Sequence, residues 1–310
     1  MRRGERLVRQ YCIYDVFTDS RLAGNPLCVV FDGDGLSDPE MQAIARETNL
    51  SETVFVMPAA NATHTARIRI FTPARELPFA GHPTVGTAIA LAEREGAKNG
   101  ATELVSVLEE NVGPVRCAIR LREGEASFAE FDLPRNSSRI DLAFDRQALA
   151  EALSLKPQQI GFENHVPSLW SAGVPFIMIP VQNIGAVERV DFDPQFWERI
   201  APFAEGGLAS AYVYCRGGIH HGAKFHARMF SADMGIGEDP ATGSAVAALS
   251  GAIHHFDALP DGHHPLLVEQ GVEMGRPSYI HLHIDVTDGE IARARIGGQA
   301  VRVASGFLDL

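Results

Sequence analysis

Gly81-His82-Pro83-Thr84-Val85-Gly86-Thr87-Ala88-Ile89-Ala90 and Glu238-Asp239-Pro240-Ala241-Thr242-Gly243-Ser244-Ala245-Val246-Ala247 read as two versions of one phrase. Each sets a polar residue before a proline, then a glycine, then an alanine-rich apolar run. The offset is constant, since 239 − 82 and 243 − 86 both give 157, about half of the 310 residues. Phe71-Thr72-Pro73 and Phe230-Ser231-Ala232 lead into the two segments, which on this alignment makes the second loop shorter by two residues. A chain with two related halves, each presenting a loop at a helix start, points to one site built between them.

Upstream of the first segment, residues 11–17 and 27–31 are β-rich runs separated by Ser20-Arg21-Leu22-Ala23-Gly24-Asn25-Pro26, whose end is turn chemistry. Ser37-Asp38-Pro39-Glu40 has capping-box spacing, with Ser37 able to bond a free amide and Glu40 able to reach back. Met41, Ile44 and Ala45 follow at helical spacing, so a helix is expected to end near Thr48-Asn49. Residues 52–57 and 66–71 read as strands, and a helix starts at Thr84 or the turn before it and runs to about Glu95. Strands at 103–108, 115–121 and 126–133 complete the first half.

The second half resumes with a short helix at 145–153, strands at 175–181, 208–215 and 224–230, a helix at 242–254 and closing strands over 266–307. Both long helices carry small and branched residues on most faces, the mark of an enclosed helix. The strand–helix–strand alternation of a parallel sheet is missing from this pattern. The expected fold class is therefore α+β: two pseudo-symmetric barrel-like domains, 1–134 and 135–310, each of mostly antiparallel strands around a central helix. The last strand is free to return to the first half.

A hydrophobic content of 45% and 21% charged residues are ordinary for a globular protein, and a formal charge of −12 disfavours a nucleic-acid partner. No run reaches the roughly 18 to 20 apolar residues of a membrane span. The basic Met1-Arg2-Arg3-Gly4-Glu5-Arg6 lacks the apolar stretch of a signal peptide. Cys12, Cys28, Cys117 and Cys215 are too widely spaced for a Cys-x-x-Cys motif and read as reduced core thiols of a cytoplasmic protein.

The first amides of a helix lack intrahelical partners and sit at the positive end of its dipole, so the two glycine-bearing loops suit a carboxylate or a developing oxyanion. Either loop alone would equally suit close packing of helix on strand. Glu52 follows Asn49-Leu50-Ser51 and opens the apolar run Thr53-Val54-Phe55-Val56, a place where a carboxylate can be partly desolvated and serve as an acid/base, or simply end a strand. Competing motifs fail. The segment from Gly237 to Ser244 has no lysine for phosphate, Val246 stands where a nucleophile elbow needs glycine, and no nicotinamide fingerprint appears. The pairs His220-His221, His254-His255 and His263-His264 read as surface or loop residues rather than metal ligands, because neighbours in sequence point apart.

With Gly24-Asn25-Pro26, Asn49-Leu50-Ser51-Glu52-Thr53, the two repeated segments, Gln270-Gly271, Met274-Gly275-Arg276-Pro277-Ser278 and Gly297-Gly298 in order, the chain resembles the PhzF-like isomerase family of phenazine biosynthesis. These motifs cover nearly the whole chain and imply the diaminopimelate-epimerase-like fold. The resemblance implies Glu52 as acid/base with His82 and Asp239 as catalytic partners. Asn25, Ser51, Gly81, Gly243 and Ser244 are implied around a small anionic substrate, the amides near the two glycines serving as anion donors. Related epimerases use a cysteine pair at the two loops; neither loop carries one here, which leaves a carboxylate-centred mechanism. The expectation is a cofactor-independent isomerase with no metal, commonly a homodimer. An amino- or hydroxy-acid epimerase or racemase, and a non-catalytic binding or scaffold protein, remain as alternatives.

Overall fold

The computed structural model describes residues 8–96, 102–233 and 237–310, so the basic N-terminal stretch lies outside the described residues. Two compact units divide the chain, one made of residues 1–130 with 299–310 and the other of residues 131–298. In chain order the first carries β1 (Val8–Val16), β2 (Asn25–Val30), α1 (Asp38–Thr48), β3 (Glu52–Met57), β4 (Ala66–Phe71) and β5 (Glu76–Leu77). It continues with α2 (Gly81–Glu95), β6 (Glu103–Glu110) and β7 (Gly113–Arg120), and β8 (Ser127–Asp132) carries the chain onward.

The second unit holds β9 (Ser138–Ile140), α3 (Arg146–Ala152), β10 (Ser168–Ser171), β11 (Pro175–Pro180), α4 (Ile184–Glu188) and α5 (Pro194–Ile200). After β12 (Phe203–Ala204) and β13 (Gly207–Leu208) come β14 (Ser210–Arg216), β15 (Phe225–Phe230), β16 (Glu238–Asp239), α6 (Gly243–Asp257), β17 (Gly262–Gln270) and β18 (Ser278–Thr287). The long closing strand β19 (Glu290–Asp309) returns the chain to the first unit. No helix among the described residues is long and apolar enough to cross a membrane. All four cysteines are free and buried.

Most strand pairs are antiparallel, as the alternating burial of β7 and β18 requires of strands with one face in a core. Among the described residues four pairs are parallel: β2 with β3, β4 with β6, β11 with β14, and β15 with β17. Helices α1, α2 and α6 sit in crossovers between such pairs, so strand–helix–strand units are present after all. They escaped a sequence pattern in which hairpins interrupt the alternation.

The two long helices are enclosed. Every residue of α2 from Gly81 to Ala90 is buried, with β1, β2, β3, β6 and β7 around it. In the other unit α6 is packed by β9, β10, β11 and β18. Glycine permits this closeness: a Cβ on Gly86 would stand 2.6 Å from Leu27 Cδ2, and one on Gly251 would stand 2.7 Å from the Trp170 ring.

The internal repeat is real in the fold but its alignment differs from the one read off the sequence. The helices open at Gly81 and Gly243, and 243 − 81 gives 162 rather than 157. Gly86, matched to Gly243 by sequence, is a packing residue inside α2. The loops from Phe71 and Phe230 to these helices run over residues 72–80 and 231–242, so the second is longer by three residues.

Similar side-chain contacts recur beside the corresponding strands of the two units. Arg69 donates from Nε and Nη2 to the two carboxylate oxygens of Glu76, at 2.7 and 2.6 Å, and Arg228 does the same to Glu238, at 2.7 and 2.9 Å. Glu109 accepts from the Ala60 and Asn61 amides and contacts His64 Nδ1, each at 2.8 Å. Glu269 accepts from the Ile219 and His220 amides at 2.8 Å and contacts His226 Nδ1 at 2.7 Å. Each glutamate thus clamps the hairpin turn beside its strand.

Candidate active site

Helix α1 starts with Glu40 accepting from the Ser37 amide at 2.8 Å and from its hydroxyl at 2.7 Å. It ends on Asn49, whose left-handed backbone (φ 50°) is one that asparagine tolerates. The chain then turns directly into β3. Thr48 donates to the Ala45 carbonyl at 3.0 Å, which leaves Thr53 to supply the proton of the 2.7 Å contact between the two threonine hydroxyls. The residues bracketing Ser51-Glu52 are therefore tied to one another.

Glu52 opposes Leu27 in the parallel β2–β3 pair, which puts the starts of both strands at one edge. Asn25 opens β2 and is fully buried. At this edge α2 begins, and His82 in its first turn is 3% exposed. Asn25 Nδ2 lies 3.2 Å from His82 Nδ1. An amide nitrogen only donates, so Nδ1 accepts and the ring proton sits on Nε2. Nε2 in turn lies 3.3 Å from Glu52 Oε2, a contact whose angles are looser than those of an aligned hydrogen bond. Burial pushes the His82 ring down to about 3, so it stays neutral. The amides of Gly81 and His82 precede the first intrahelical bond, which Thr84 makes to Ala80.

In the second unit Asp239 ends β16 and Oδ2 accepts from the Thr242 hydroxyl at 2.5 Å. Gln270 holds both residues. Its amide nitrogen donates to the Asp239 carbonyl at 2.7 Å and to the Thr242 hydroxyl at 3.0 Å, while its oxygen accepts from the Thr242 amide and the Tyr212 hydroxyl, each at 3.2 Å. Ala245 and Val246 both bond the Thr242 carbonyl, leaving the Gly243 and Ser244 amides without an intrahelical partner. Gln270 had a place in a motif but no role from sequence; its role comes from the strand register that sets it beneath Thr242.

Among the sequence candidates, then, Asn25, Glu52 and His82 converge, with Ser51 buried next to Glu52 and Gly81 opening the helix. Asp239 is engaged by Thr242 and Gln270, and Gly243 and Ser244 open α6. Two of the histidine pairs split between separate partners, His254 to the Gly289 carbonyl and His255 to Arg139, His263 to Asp285 and His264 to the Pro260 carbonyl, whereas the rings of His220 and His221 lie against each other with centroids 4.7 Å apart. His165 is fully buried between the Tyr214 hydroxyl and Asp257.

Comparison with known proteins agrees with this architecture. A sequence model of phenazine biosynthesis-like proteins, PhzC-PhzF, matches residues 14–306. An uncharacterized isomerase of Mesorhizobium japonicum is 57% identical over 301 residues, spanning 97% of this chain and 98% of that one. The trans-2,3-dihydro-3-hydroxyanthranilate isomerase of Pseudomonas chlororaphis is 33% identical over 304 residues, 98% of this chain and 100% of that one. A crystal structure of a Bacillus anthracis phenazine biosynthesis protein of the PhzF family superposes with a TM-score of 0.86 at 28% identity, covering 98% and 100% of the two chains. A hydroxyproline epimerase from Agrobacterium vitis shares the fold, with a TM-score of 0.67 at 15% identity and coverage of 99% and 94%.

Fold and relatives together define an isomerase of the diaminopimelate-epimerase-like architecture. The chain belongs to the phenazine biosynthesis-like (PhzC-PhzF) family.

Proposed function

We propose that this isomerase moves a proton within a small, carboxylate-bearing molecule, without a cofactor, using Glu52 as general acid/base. The observation that carries the reading is the Glu52–His82 contact beside Asn25: a carboxylate faces the protonated nitrogen of a ring that burial keeps neutral. Such a ring presents its N–H to the carboxylate and orients it without competing for the substrate proton. Glu52 takes the proton from carbon next to an activating group and returns it elsewhere on the same molecule. The Gly81 amide, and in the second unit Asp239, Gly243 and Ser244, are proposed to hold polar and anionic substrate groups; Asn25 and Ser51 line the acid/base.

The repeat bears on the epimerase alternative. Thr53 opposes Phe71 as Ala211 opposes Phe230, so Ser210 occupies the place of Glu52 in the second unit. By helix alignment Ser244 occupies the place of His82. Inversion at one carbon usually wants an acid/base on each face, and the duplicated positions carry that chemistry in one unit alone. This favours transfer by a single carboxylate.

The test is protein-dependent deuterium incorporation in D₂O, followed by NMR across cyclic amino-hydroxy acids, including the dihydro-hydroxyanthranilate on which the Pseudomonas relatives are named, and common amino acids. Incorporation that falls on the order of 10²- to 10⁴-fold in Glu52→Gln, with binding retained, supports the reading. Exchange undiminished in that variant moves the base elsewhere. Ligand binding with no exchange in either protein supports a binding role instead.

A further inference from the structure

Glu110 ends β6 beside the start of α2, and its side chain belongs to no step above. Thr84, fully buried in the first turn of α2, has its hydroxyl oxygen 2.7 Å from Glu110 Oε1 and 2.7 Å from the Ala80 carbonyl oxygen. A hydroxyl carries one proton. Given to the carbonyl four residues back, as helical threonines commonly do, that proton cannot also serve the Glu110 contact, so the carboxyl must supply its own. The other oxygen, Oε2, is buried without a hydrogen-bond partner among the described residues. The carbonyl oxygen of an acid sits there at far less cost than half of a carboxylate.

The second unit supplies an independent comparison. Arg67 pairs Glu109 in the parallel β4–β6 ladder as His226 pairs Glu269 in β15–β17, so the residue equivalent to Glu110 is Gln270. Gln270 is the neutral amide that donates to Thr242 at the start of α6. One strand position thus carries an obligatorily neutral donor in one unit and a carboxyl in the other, each against a threonine hydroxyl at the start of its enclosed helix, Thr242 just before α6 and Thr84 in the first turn of α2.

We infer that Glu110 works as a neutral carboxylic acid, a positioning residue that donates to Thr84 and so seats the first turn of α2, which carries His82. The consequence for catalysis rests on the reading of His82 and Glu52 as the proton-transfer centre. The titratable and charged groups on the elements around Glu110 are His82, Glu93, Arg94 and Glu95 on α2, Glu103 and Glu109 on its own strand, Arg67 and Arg69 on β4, Glu76 on β5, and Arg116, Cys117 and Arg120 on β7. Glu109 is taken up by the Ala60 and Asn61 amides, and Glu76 by Arg69 and Asn111. Burial pushes the Glu110 carboxyl up to about 8. Ionisation above that pH puts a charge into an apolar setting and sets two acceptors against one threonine proton, so the first turn of α2 must shift. Activity then has an alkaline limb that belongs to Glu110.

Glu110→Gln puts the side chain of Gln270 at the equivalent strand position, with a donor towards Thr84 that cannot ionise. Two measurements on the full chain decide the matter. Carbon-13 carboxyl NMR of glutamate-labelled protein is expected to contain a resonance that titrates near pH 8, is absent from Glu110→Gln and moves in Thr84→Val. Nitrogen-15 NMR of the His82 ring is expected to shift with the same midpoint in the native protein and to be flat there in Glu110→Gln, whose exchange activity also keeps its neutral-pH level at alkaline pH. A Glu110 resonance titrating in the ordinary carboxylate range overturns the neutral acid. A resonance near pH 8 with His82 unmoved, or an alkaline limb identical in Glu110→Gln, overturns the positioning role. Neither NMR titration requires a substrate, so failure of the Glu52 reading is separately visible as exchange that survives Glu52→Gln.

Discussion

His82 and Asn25 are joined by a single contact that decides a tautomer: Asn25 Nδ2 at 3.2 Å fills the Nδ1 lone pair and leaves the ring proton on Nε2, 3.3 Å from Glu52. A fully buried amide on one strand thereby sets which atom faces the carboxylate on the next.

Reversing that contact is expected to reverse the ring. Asn25→Asp presents an acceptor to Nδ1, draws the proton there and turns the Nε2 lone pair towards Glu52. Nitrogen-15 shifts of the imidazole report the tautomer directly. With an acceptor now facing the base, kcat is expected to fall on the order of 100-fold with KM changed much less. Unchanged nitrogen shifts in the variant would show that Asn25 does not set the tautomer.

His82 also makes the protein acid-sensitive. Burial lowers the ring from 6.5 to about 3, so between those values the unfolded chain binds a proton that the folded chain does not. Stability is then lost as pH falls through that window, at roughly tenfold in the folding equilibrium per pH unit for one proton. Urea midpoints measured from pH 7 to pH 4 should decline less steeply in His82→Asn than in the native chain. Equal slopes would place the acid sensitivity in other groups.

His226 carries the opposite sign. Burial alone would lower it, but Glu269 and Glu273, each 2.7 Å from a ring nitrogen, raise it to about 9 from 6.5. The pair's contribution is full below 6.5 and disappears as pH rises through 9. His226→Gln should remove that alkaline loss of stability, read as melting temperature against pH, while lowering stability at neutral pH.

Gln270→Ala removes two donated and two accepted hydrogen bonds at the start of α6. Groups left buried without partners cost about 1–3 kcal/mol each where water cannot reach them. Urea denaturation should register the loss, and exchange activity should fall through a mispositioned Asp239. Full activity in a folded Gln270→Ala protein would remove Asp239 from the proposed machinery.

Gly251→Ala tests the enclosure of α6. Alanine favours a helix by about 1 kcal/mol over glycine, yet the added carbon meets the Trp170 ring, and overpacking of this kind costs about 1–3 kcal/mol. The expected outcome is net destabilisation in urea. A more stable variant would mean that Trp170 moves aside freely.

Much of the framework was legible before any coordinates. The Ser37–Glu40 spacing marked the start of α1, alternation marked β4, and two alanine-rich runs after glycines marked the enclosed helices. These are local signals, written in residues a few positions apart. The alignment of the two halves was misread for a physical reason: similarity between Gly86 and Gly243 drew them together, although one glycine admits Leu27 and Val16 to a helix side and the other opens a helix.

By itself, then, the sequence determined that two related halves each end a loop in a buried helix and that Glu52 opens an apolar strand, because periodicity and turn chemistry are properties of neighbouring residues. Tertiary structure alone decided that Asn25 selects the His82 tautomer, that Glu110 and Gln270 are equivalent, and that Gln270 holds Asp239. Those facts depend on strand register and on the loss of water around particular atoms, both set by partners from 31 to 57 positions away in the chain.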